Sequence, residues 1–308
     1  MKTTSIVGAV LLFTLAAIQH VSATTNYVLS LSSSADYVRI PASASLDLTT
    51  NFTLEAWIKP SKIVNQDQAV IAQRRNTDGT GFALRVGGSG IGLALNNDAG
   101  DGKGINILGG GGNELAVDQW FHIAATYDGA VAKNYINGRL VESYLVSLRL
   151  LKTTLPITIG QENLPGDPRP FLGQIDEARI WNRALTQQEI QFNVSHKLTG
   201  QEPGLVGFWN FDDQTARDSS VYGNHGIVVG NAQIVEDPIV LLQIFQAVEI
   251  LTGFGSSSAT YQLQYRTNLQ SAQWFSFSQL FTTGGQPVQF FDTTRDSVQK
   301  VYRVIRVR

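Results

Sequence analysis

The chain of 308 residues contains no cysteine. Disulfide bridges, thiolate zinc sites, iron–sulfur clusters and thiol nucleophiles are therefore excluded. Charge is also scarce, because charged residues make up 16% of the chain and the formal net charge is −2. So small a net charge provides no strong field to steer the protein to nucleic acid or anionic lipid. We expect a fold that relies on its apolar core, and no nucleic-acid partner.

Long hydrophobic runs are missing as well, and the one at the N-terminus is short. Lys2 precedes an apolar stretch at 6–18 of about 13 residues, against the roughly 20 that span a bilayer, and Val21-Ser22-Ala23 offers a small-residue cleavage site. This pattern is typical of a secretory signal peptide over residues 1–23. We expect a mature chain without a membrane span that is secreted, held at the cell surface or periplasmic. Export without disulfides points to a bacterial source.

Short strands dominate the pattern of the mature chain. Residues 52–59 alternate apolar and other side chains, and residues 81–86 and 91–95 predict a hairpin across a glycine-rich turn. Asn137-Gly138 is a strong hairpin signal between two further strands. The four tryptophans at 57, 120, 181 and 209 lie in strand patterns and are expected in the core. Such a series of strands predicts an all-β sandwich or barrel.

One helix interrupts the strands. Thr186 and Glu189 form a capping box at its start. Ile190, Val194 and Leu198 would form its apolar stripe, and Gly200 is the expected stop. We expect this helix to cover one end of the sandwich.

Six segments in order resemble a known family: 35–41 (ADYVRIP), 52–60 (FTLEAWIKP), 120–129 (WFHIAATYDG), 135–138 (YING), 173–185 (GQIDEARIWNRAL) and 204–212 (GLVGFWNFD). Together they resemble the laminin G-like jelly rolls of the concanavalin A-like and pentraxin kind. The resemblance implies a jelly-roll β-sandwich over residues 24–235 that recognises glycans or protein surfaces through rim loops, and pentraxin-like oligomers are open. Residues 239–308 resemble a fibronectin type III-like module around 261–267 and 301–304, which implies a small second β-sandwich.

The same fold also hosts glucanases, so a glycoside hydrolase is the main alternative. Retaining enzymes need two carboxylates about 5 Å apart. In the jelly-roll glucanases the pair lies on one strand, and the nearest analogue is residues 174–179 (QIDEAR). There the nucleophile position is Gln174 and the acid/base positions are Ala178 or Arg179. A neutral amide cannot form the glycosyl-enzyme, so this stretch argues against hydrolysis.

Other catalytic chemistries have no signal either. The chain lacks a Gly-x-Ser-x-Gly elbow. His122, His196 and His225 have neither the spacing of metal ligands nor that of a triad. We therefore expect a protein that is not an enzyme.

Calcium is the cofactor that the resemblance makes relevant, because the family often holds this ion at the rim. Calcium takes six to eight oxygen ligands. The matching positions are Asp128 and Asp176, which we predict as metal ligands. Asp128 could equally form a turn, and Asp176 could equally be a buried hydrogen-bond partner. Further Asp- and Asn-rich stretches lie at 96–101 and at Asp167.

The sequence therefore predicts an exported, non-enzymatic binding or adhesion protein. Its partner would be a carbohydrate or an extracellular protein surface, and calcium would assist binding. Two alternatives stay open: a glycoside hydrolase with displaced carboxylates, and a purely structural component of an envelope or matrix.

Overall fold

The computed structural model describes residues 26–74, 80–88, 90–96, 105–111, 114–162, 168–237, 248–250, 260–266, 275–282, 288–290 and 301–306. The strands up to residue 237 are β1 (Tyr27–Leu31), β2 (Tyr37–Ile40), β3 (Asn51–Pro60), β4 (Gln68–Arg74), β5 (Gly81–Gly87), β6 (Gly90–Asn96), β7 (Ile105–Gly111), β8 (Phe121–Asp128), β9 (Val131–Ile136), β10 (Arg139–Leu145), β11 (Ile157–Ile159), β12 (Gly173–Trp181), β13 (Leu205–Trp209), β14 (Ile227–Val229) and β15 (Gln233–Glu236). A 3-10 turn covers Ala44–Leu46, and helix α1 covers Gln187–Ser195.

These strands form two antiparallel sheets. Sheet A has eight strands in the order β10-β9-β8-β3-β12-β1-β15, with β13 also paired to β12. Sheet B has seven strands in the order β14-β2-β11-β4-β5-β6-β7. Four of the seven strand pairs in sheet A and three of the six in sheet B join strands that are distant in sequence, as in a jelly roll. The prediction of an all-β jelly-roll sandwich is confirmed.

The main core lies between the two sheets. Phe52, Leu54, Ala56 and Ile58 of β3 all belong to it, as the alternation predicted. Across the sandwich, alternate residues of β5 and β6 complete it: Phe82, Leu84, Val86, Ile91, Leu93 and Leu95. Each large apolar side chain buried in this way contributes about 1.5–3 kcal/mol relative to exposure. The four tryptophans predicted to be buried are all at most 8% exposed.

Local turn chemistry also agrees with the prediction. β5 and β6 pair as a hairpin, and so do β9 and β10. Asn137 and Gly138 between β9 and β10 have φ of 49° and 74°. Two positive φ values are the geometry of the type I′ turn, which Asn-Gly favours.

The helix begins as predicted but ends earlier. Thr186 and Glu189 form the capping box. The helix ends at Ser195, so the expectation that it reaches Leu198 and stops at Gly200 is wrong. The Ser195 hydroxyl donates to the carbonyls of Gln191 and Phe192. Such side-chain bonds compete with the next helical turn, and His196 is already extended.

Beyond residue 237 the described residues are strands: β16 (Val248–Ile250), β17 (Thr260–Arg266), β18 (Phe275–Thr282), β19 (Val288–Phe290) and β20 (Val301–Arg306). β16 pairs with β19, and β17 pairs with both β18 and β20, all antiparallel. This agrees with a second β-rich region. Its resemblance to a fibronectin type III-like module, the domain boundaries and the signal peptide, which lies outside the described residues, stay predictions.

Candidate functional site

The outer face of sheet A is covered by the protein's own helix. Ile190 of α1 and Leu185 and Leu198 beside it pack on side chains that point away from the main core. All members of this second apolar cluster are buried: Ala124, Tyr135, Trp181, Leu185, Ile190, Leu198, Leu205 and Phe208. The helix thus covers a face of the sandwich, not one of its ends as expected. This part of sheet A is closed to a ligand.

A polar centre lies beneath the helix at Glu55. Glu55 Oε1 accepts hydrogen bonds from Trp181 Nε1 (2.9 Å), Asn193 Nδ2 (2.9 Å) and Arg179 Nη1 (3.3 Å). His122 Nε2 lies 3.5 Å from Oε2. Burial alone would raise the pKa of Glu55, but the hydrogen bond from His122 and the charge of Arg179 hold it below its ordinary value. The centre joins three strands to α1 and has a structural role.

This centre explains the residues that looked like a degenerate glucanase motif. Arg179 is fully buried, and its Nη2 pairs with Glu177. Glu177 has a φ of 46° and lies where β12 bulges against β3. Arg179 therefore fixes two carboxylates and cannot act as a catalytic acid. Nothing in the local sequence pattern of β3 indicated that a helix would cover Glu55.

Asp176, one predicted metal ligand, is buried and already hydrogen-bonded. Its Oδ2 accepts from Asn26 Nδ2 (3.2 Å), and its Oδ1 accepts from the backbone N–H of Glu177 (2.7 Å). The arrangement matches the alternative role of a buried hydrogen-bond partner.

Asp128, the other predicted ligand, is exposed at the end of β8. Its Oδ1 accepts from the backbone N–H groups of Ala130 (2.9 Å) and Val131 (2.7 Å). These bonds close the turn to β9, which is what an aspartate does in an Asx turn.

The structure does not bring Asp128 and Asp176 together. Asp128 pairs with Asn51 and Asp176 with Trp57, six residues further along β3. At about 3.3 Å per residue they lie about 20 Å apart, so one calcium ion with ligands at about 2.4 Å cannot bind both. Within the described ranges, no group of three or more His, Asp or Glu side chains is arranged to hold a metal. Residues 97–101 and Asp167 lie outside these ranges.

His122, His196 and His225 make three different contacts. His122 faces Glu55, His196 stacks on Phe192 with ring centroids 3.7 Å apart, and the His225 Nδ1 accepts from the backbone N–H of Asp218. Each histidine therefore makes a separate contact within the fold.

The outer face of sheet B differs, because a row of small residues crosses its centre. The ladder aligns Ile227, Arg39, Thr158, Ala72, Ala83, Ala94 and Asn106 on seven successive strands. Ala72, Ala83 and Ala94 join Ala69 in an apolar cluster separate from the main core. We call these four alanines the alanine floor.

Ion pairs lie next to this floor. Glu162 accepts from Arg85 Nε (2.8 Å) and Nη2 (2.7 Å), and its Oε1 is 3.0 Å from Arg74 Nε. Asp67 Oδ2 accepts from Arg85 Nη1 (3.2 Å) and Arg169 Nη1 (2.9 Å). We call these five residues the polar layer.

The register shows why the floor consists of alanines. Arg74 of β4 pairs with Gly81 of β5, and Arg85 lies four residues further along β5. The Ala72–Ala83 pair therefore lies between the two arginines. Both arginines reach the one carboxylate of Glu162, which therefore lies over the floor. Small side chains leave room for this layer, and Gly92 opposite Arg85 leaves more. Arg85 and Glu162 are 77 residues apart, a pairing that no local pattern could reveal.

The two carboxylates of the polar layer are held by a shared guanidinium. Arg85 donates to both Asp67 and Glu162. A retaining glycosidase needs one carboxylate as nucleophile and a second carboxyl group as acid/base. Here both carboxylates accept hydrogen bonds from Arg85 and are engaged in ion pairs instead.

Comparison with known proteins identifies the family. The sequence profile described as the concanavalin A-like lectin/glucanases superfamily matches residues 32–191. The chain belongs to this superfamily. No curated protein sequence matches the chain.

Several solved structures are similar to this chain at low sequence identity. A candidate carbohydrate-binding protein from Bacteroides ovatus has a TM-score of 0.50 and 18% identity, over 69% of this chain and 60% of that one. Domain 4 of an extracellular arabinanase from Geobacillus stearothermophilus, in complex with arabinotriose, has a TM-score of 0.42 and 21% identity, over 54% and 75%. The carbohydrate-binding module of a Ruminococcus gnavus sialidase, bound to sialyllactose, has a TM-score of 0.43 and 15% identity, over 54% and 95%. The chain thus spans 60% of the length of the Bacteroides protein, and that likeness describes the fold alone.

Among the described residues, no helix is long and apolar enough to cross a membrane.

Proposed function

We propose that this protein is a non-enzymatic carbohydrate-binding protein and that the outer face of sheet B is its binding face. The observation that carries the proposal is the contrast between the two outer faces. Helix α1 packs on sheet A, whereas sheet B carries the polar layer on the alanine floor. Among the described residues no helix packs on this face of sheet B. The alanine floor, Arg85 and Glu162 are buried there, and the partly exposed side chains of Arg74 and Arg169 are its accessible groups.

The polar layer has the chemistry for sugar hydroxyl groups, which both donate and accept hydrogen bonds. Its carboxylates are acceptors and its guanidinium groups are donors. Every member is held by at least one ion pair within 3.2 Å. Polar groups that are already fixed lose little conformational entropy when a ligand binds. The partly exposed guanidinium groups of Arg74 and Arg169, held by buried carboxylates, therefore offer fixed hydrogen-bond donors to a hydroxyl-rich ligand.

The same ion pairs argue for binding rather than hydrolysis. Asp67 and Glu162 share Arg85, and Glu55 and Glu177 share Arg179. In both places an arginine holds two carboxylates in ion pairs, an arrangement that supports a binding role more than that of the acid/base group of a glycosidase.

Export, calcium and the C-terminal region belong to the proposal as well. The pattern at 1–23 favours an exported protein, and residues 239–308 would act as a spacer or docking unit. If calcium assists binding, Asp128 and Asp176 would serve separate ions, because they lie about 20 Å apart along β3.

A glycan array, read with calcium and again with chelator, tests the proposal. We expect binding that survives the chelator, because arginines already neutralise the carboxylates of the polar layer. A photoreactive analogue of the first hit should then label peptides from 68–96 and not those from 187–209. Labelling confined to 187–209 would contradict the assignment to sheet B, and an array without hits would favour an extracellular protein partner or a structural role.

A further inference from the structure

A small group of side chains lies at one edge of the outer face of sheet B. Val38 of β2 belongs to the main core, so its two neighbours Tyr37 and Arg39 point outward. In β14, which pairs with β2, the residues opposite these two are Val229 and Ile227. Directly opposite residues on paired strands share one face of the sheet. The group, which we call the edge patch, therefore consists of Tyr37, Arg39, Ile227 and Val229.

The edge patch is open to solvent. Ile227 is 49% exposed, Arg39 is also exposed, and Tyr37 and Val229 are half-buried. β14 is the last strand of sheet B and pairs on one side only. Within the part of the chain that the structure describes, neither the Tyr37 hydroxyl nor the Arg39 guanidinium has a hydrogen-bond or ion-pair partner. The patch thus combines accessible apolar surface with two polar groups that can bind a ligand.

The size of the edge patch argues for a small occupant. Neighbouring strands lie about 4.8 Å apart, and alternate residues of one strand lie about 6.6 Å apart. The four Cα atoms therefore outline an area that one sugar ring can cover. A stable protein partner needs about 20–30 residues on each side, far more than the patch provides.

The chemistry of the edge patch matches a neutral sugar ring. The C–H face of a hexopyranose is apolar, and it can stack on the ring of Tyr37 and contact the branched side chains of β14. The hydroxyl groups at the edge of the same sugar can accept hydrogen bonds from the guanidinium of Arg39. Ligand sites in proteins commonly combine apolar walls with a few polar groups in this way.

The edge patch lies on the same face as the alanine floor but apart from it. Arg39 pairs with Thr158, and Thr158 pairs with Ala72. The patch is therefore two strands, or about 10 Å, from the floor. A single sugar ring cannot cover both places, whereas a chain of linked rings laid across the strands can.

We propose that the edge patch is a stacking subsite for a neutral sugar ring, and that the ligand of sheet B is an oligosaccharide that reaches from the polar layer to β14. This inference rests on the proposed function and specifies its ligand class, a chain of uncharged hexoses rather than a single sugar. Tyr37 stacks on one ring of this chain, and Arg39 donates to the hydroxyl groups of that ring.

A series of chain lengths tests the ligand class. Calorimetric titration of the full chain should compare cello-, manno- and malto-oligosaccharides from the monosaccharide to the hexasaccharide. We expect the affinity of the best series to rise at least tenfold with length, because only the longer members reach both places. Equal affinity for the monosaccharide and the hexasaccharide would overturn the extended site.

Variants test the stacking subsite. Tyr37→Ala should weaken binding of the hexasaccharide about fivefold or more, and Tyr37→Phe should keep the parent affinity because it keeps the ring. Phe192→Ala is the matched control, since Phe192 is a 50% exposed ring on α1 at the covered side of the sandwich, and it should leave binding unchanged. Arg39 is exposed, so Arg39→Gln should weaken binding without a change in melting temperature. It therefore keeps the test valid even if Tyr37→Ala loosens the fold.

The outcomes separate this inference from the proposed function. Oligosaccharides that label peptides from 68–96 but bind equally well after Tyr37→Ala and Arg39→Gln would uphold the proposed function and overturn the edge patch. Binding that is screened by salt and lost in Arg39→Gln, but unchanged in Tyr37→Ala, would overturn the stacking of a neutral ring. A glycan array and an oligosaccharide series without any hit would overturn both proposals.

Discussion

Replacing Glu55 by glutamine should loosen helix α1 from sheet A. Glutamine keeps the shape of the side chain but removes the charge that faces Arg179, and Arg179 is fully buried. Removing one partner of a buried ion pair costs about 3–5 kcal/mol, since the other charge stays buried. Because Glu177 still contacts Arg179, we expect the lower end, about 3 kcal/mol.

Chemical denaturation monitored by circular dichroism measures this change in the free energy of unfolding, and a thermal melt followed in the same way measures the change in melting temperature. For a cooperative unit of 150–250 residues, about 3 kcal/mol lowers the melting temperature by roughly 6–12 °C. Glu189→Gln is the control at the exposed capping box of the same helix and should cost about 1 kcal/mol. A loss below about 1 kcal/mol for Glu55→Gln would refute the view that Glu55 holds the helix on the sheet.

Two further predictions concern the fold. Burial would raise the pKa of Asp36, but backbone and hydroxyl donors from Asn231, Ser32 and Ser33 lower it from 3.8 to about 2. The contribution of Asp36 to the free energy of unfolding is therefore complete above about pH 4 and is lost as the pH falls towards 2. Asp36→Asn should therefore cost about 2 kcal/mol at pH 7, and urea titrations of the variant and the parent should converge near pH 2; a constant difference would contradict this account. Gly173→Ala should lower the free energy of unfolding by at least about 3 kcal/mol. The φ of Gly173 is +140°, and the added Cβ would lie 2.2 Å from the carbonyl oxygen of Lys59. A calorimetric melting temperature within 2 °C of the parent would contradict this prediction, because it would show that the strand ends adjust freely.

Local signals in the sequence predicted most of the strands and little of the site. Asn137-Gly138 and the capping box act over a few residues, so their geometry could be inferred directly. The end of α1 could not, because it depends on how the Ser195 side chain competes for backbone carbonyls. The alternation of β3 correctly placed Leu54 in the core, but it carried no sign of the helix that covers the opposite face.

The polar layer escaped prediction for a different reason. Its members come from three separate segments, and Arg85 meets Glu162 only when sheet B is assembled. The alanines gave a weak signal. Ala83 lies on the same face of β5 as Arg85, opposite the core, and an alanine at such a position indicates that other side chains pack over the strand. The glucanase pattern places both carboxylates on one strand, whereas Asp67 and Glu162 lie in a loop and after β11.

The most direct test of the central claim is photo-crosslinking with the first glycan that binds. The proposal that sheet B is the binding face predicts labelled peptides from β4 to β6, within 68–96, and loss of labelling when unmodified glycan is added in excess. Specific labelling that falls instead on helix α1 or on strands of sheet A would contradict it.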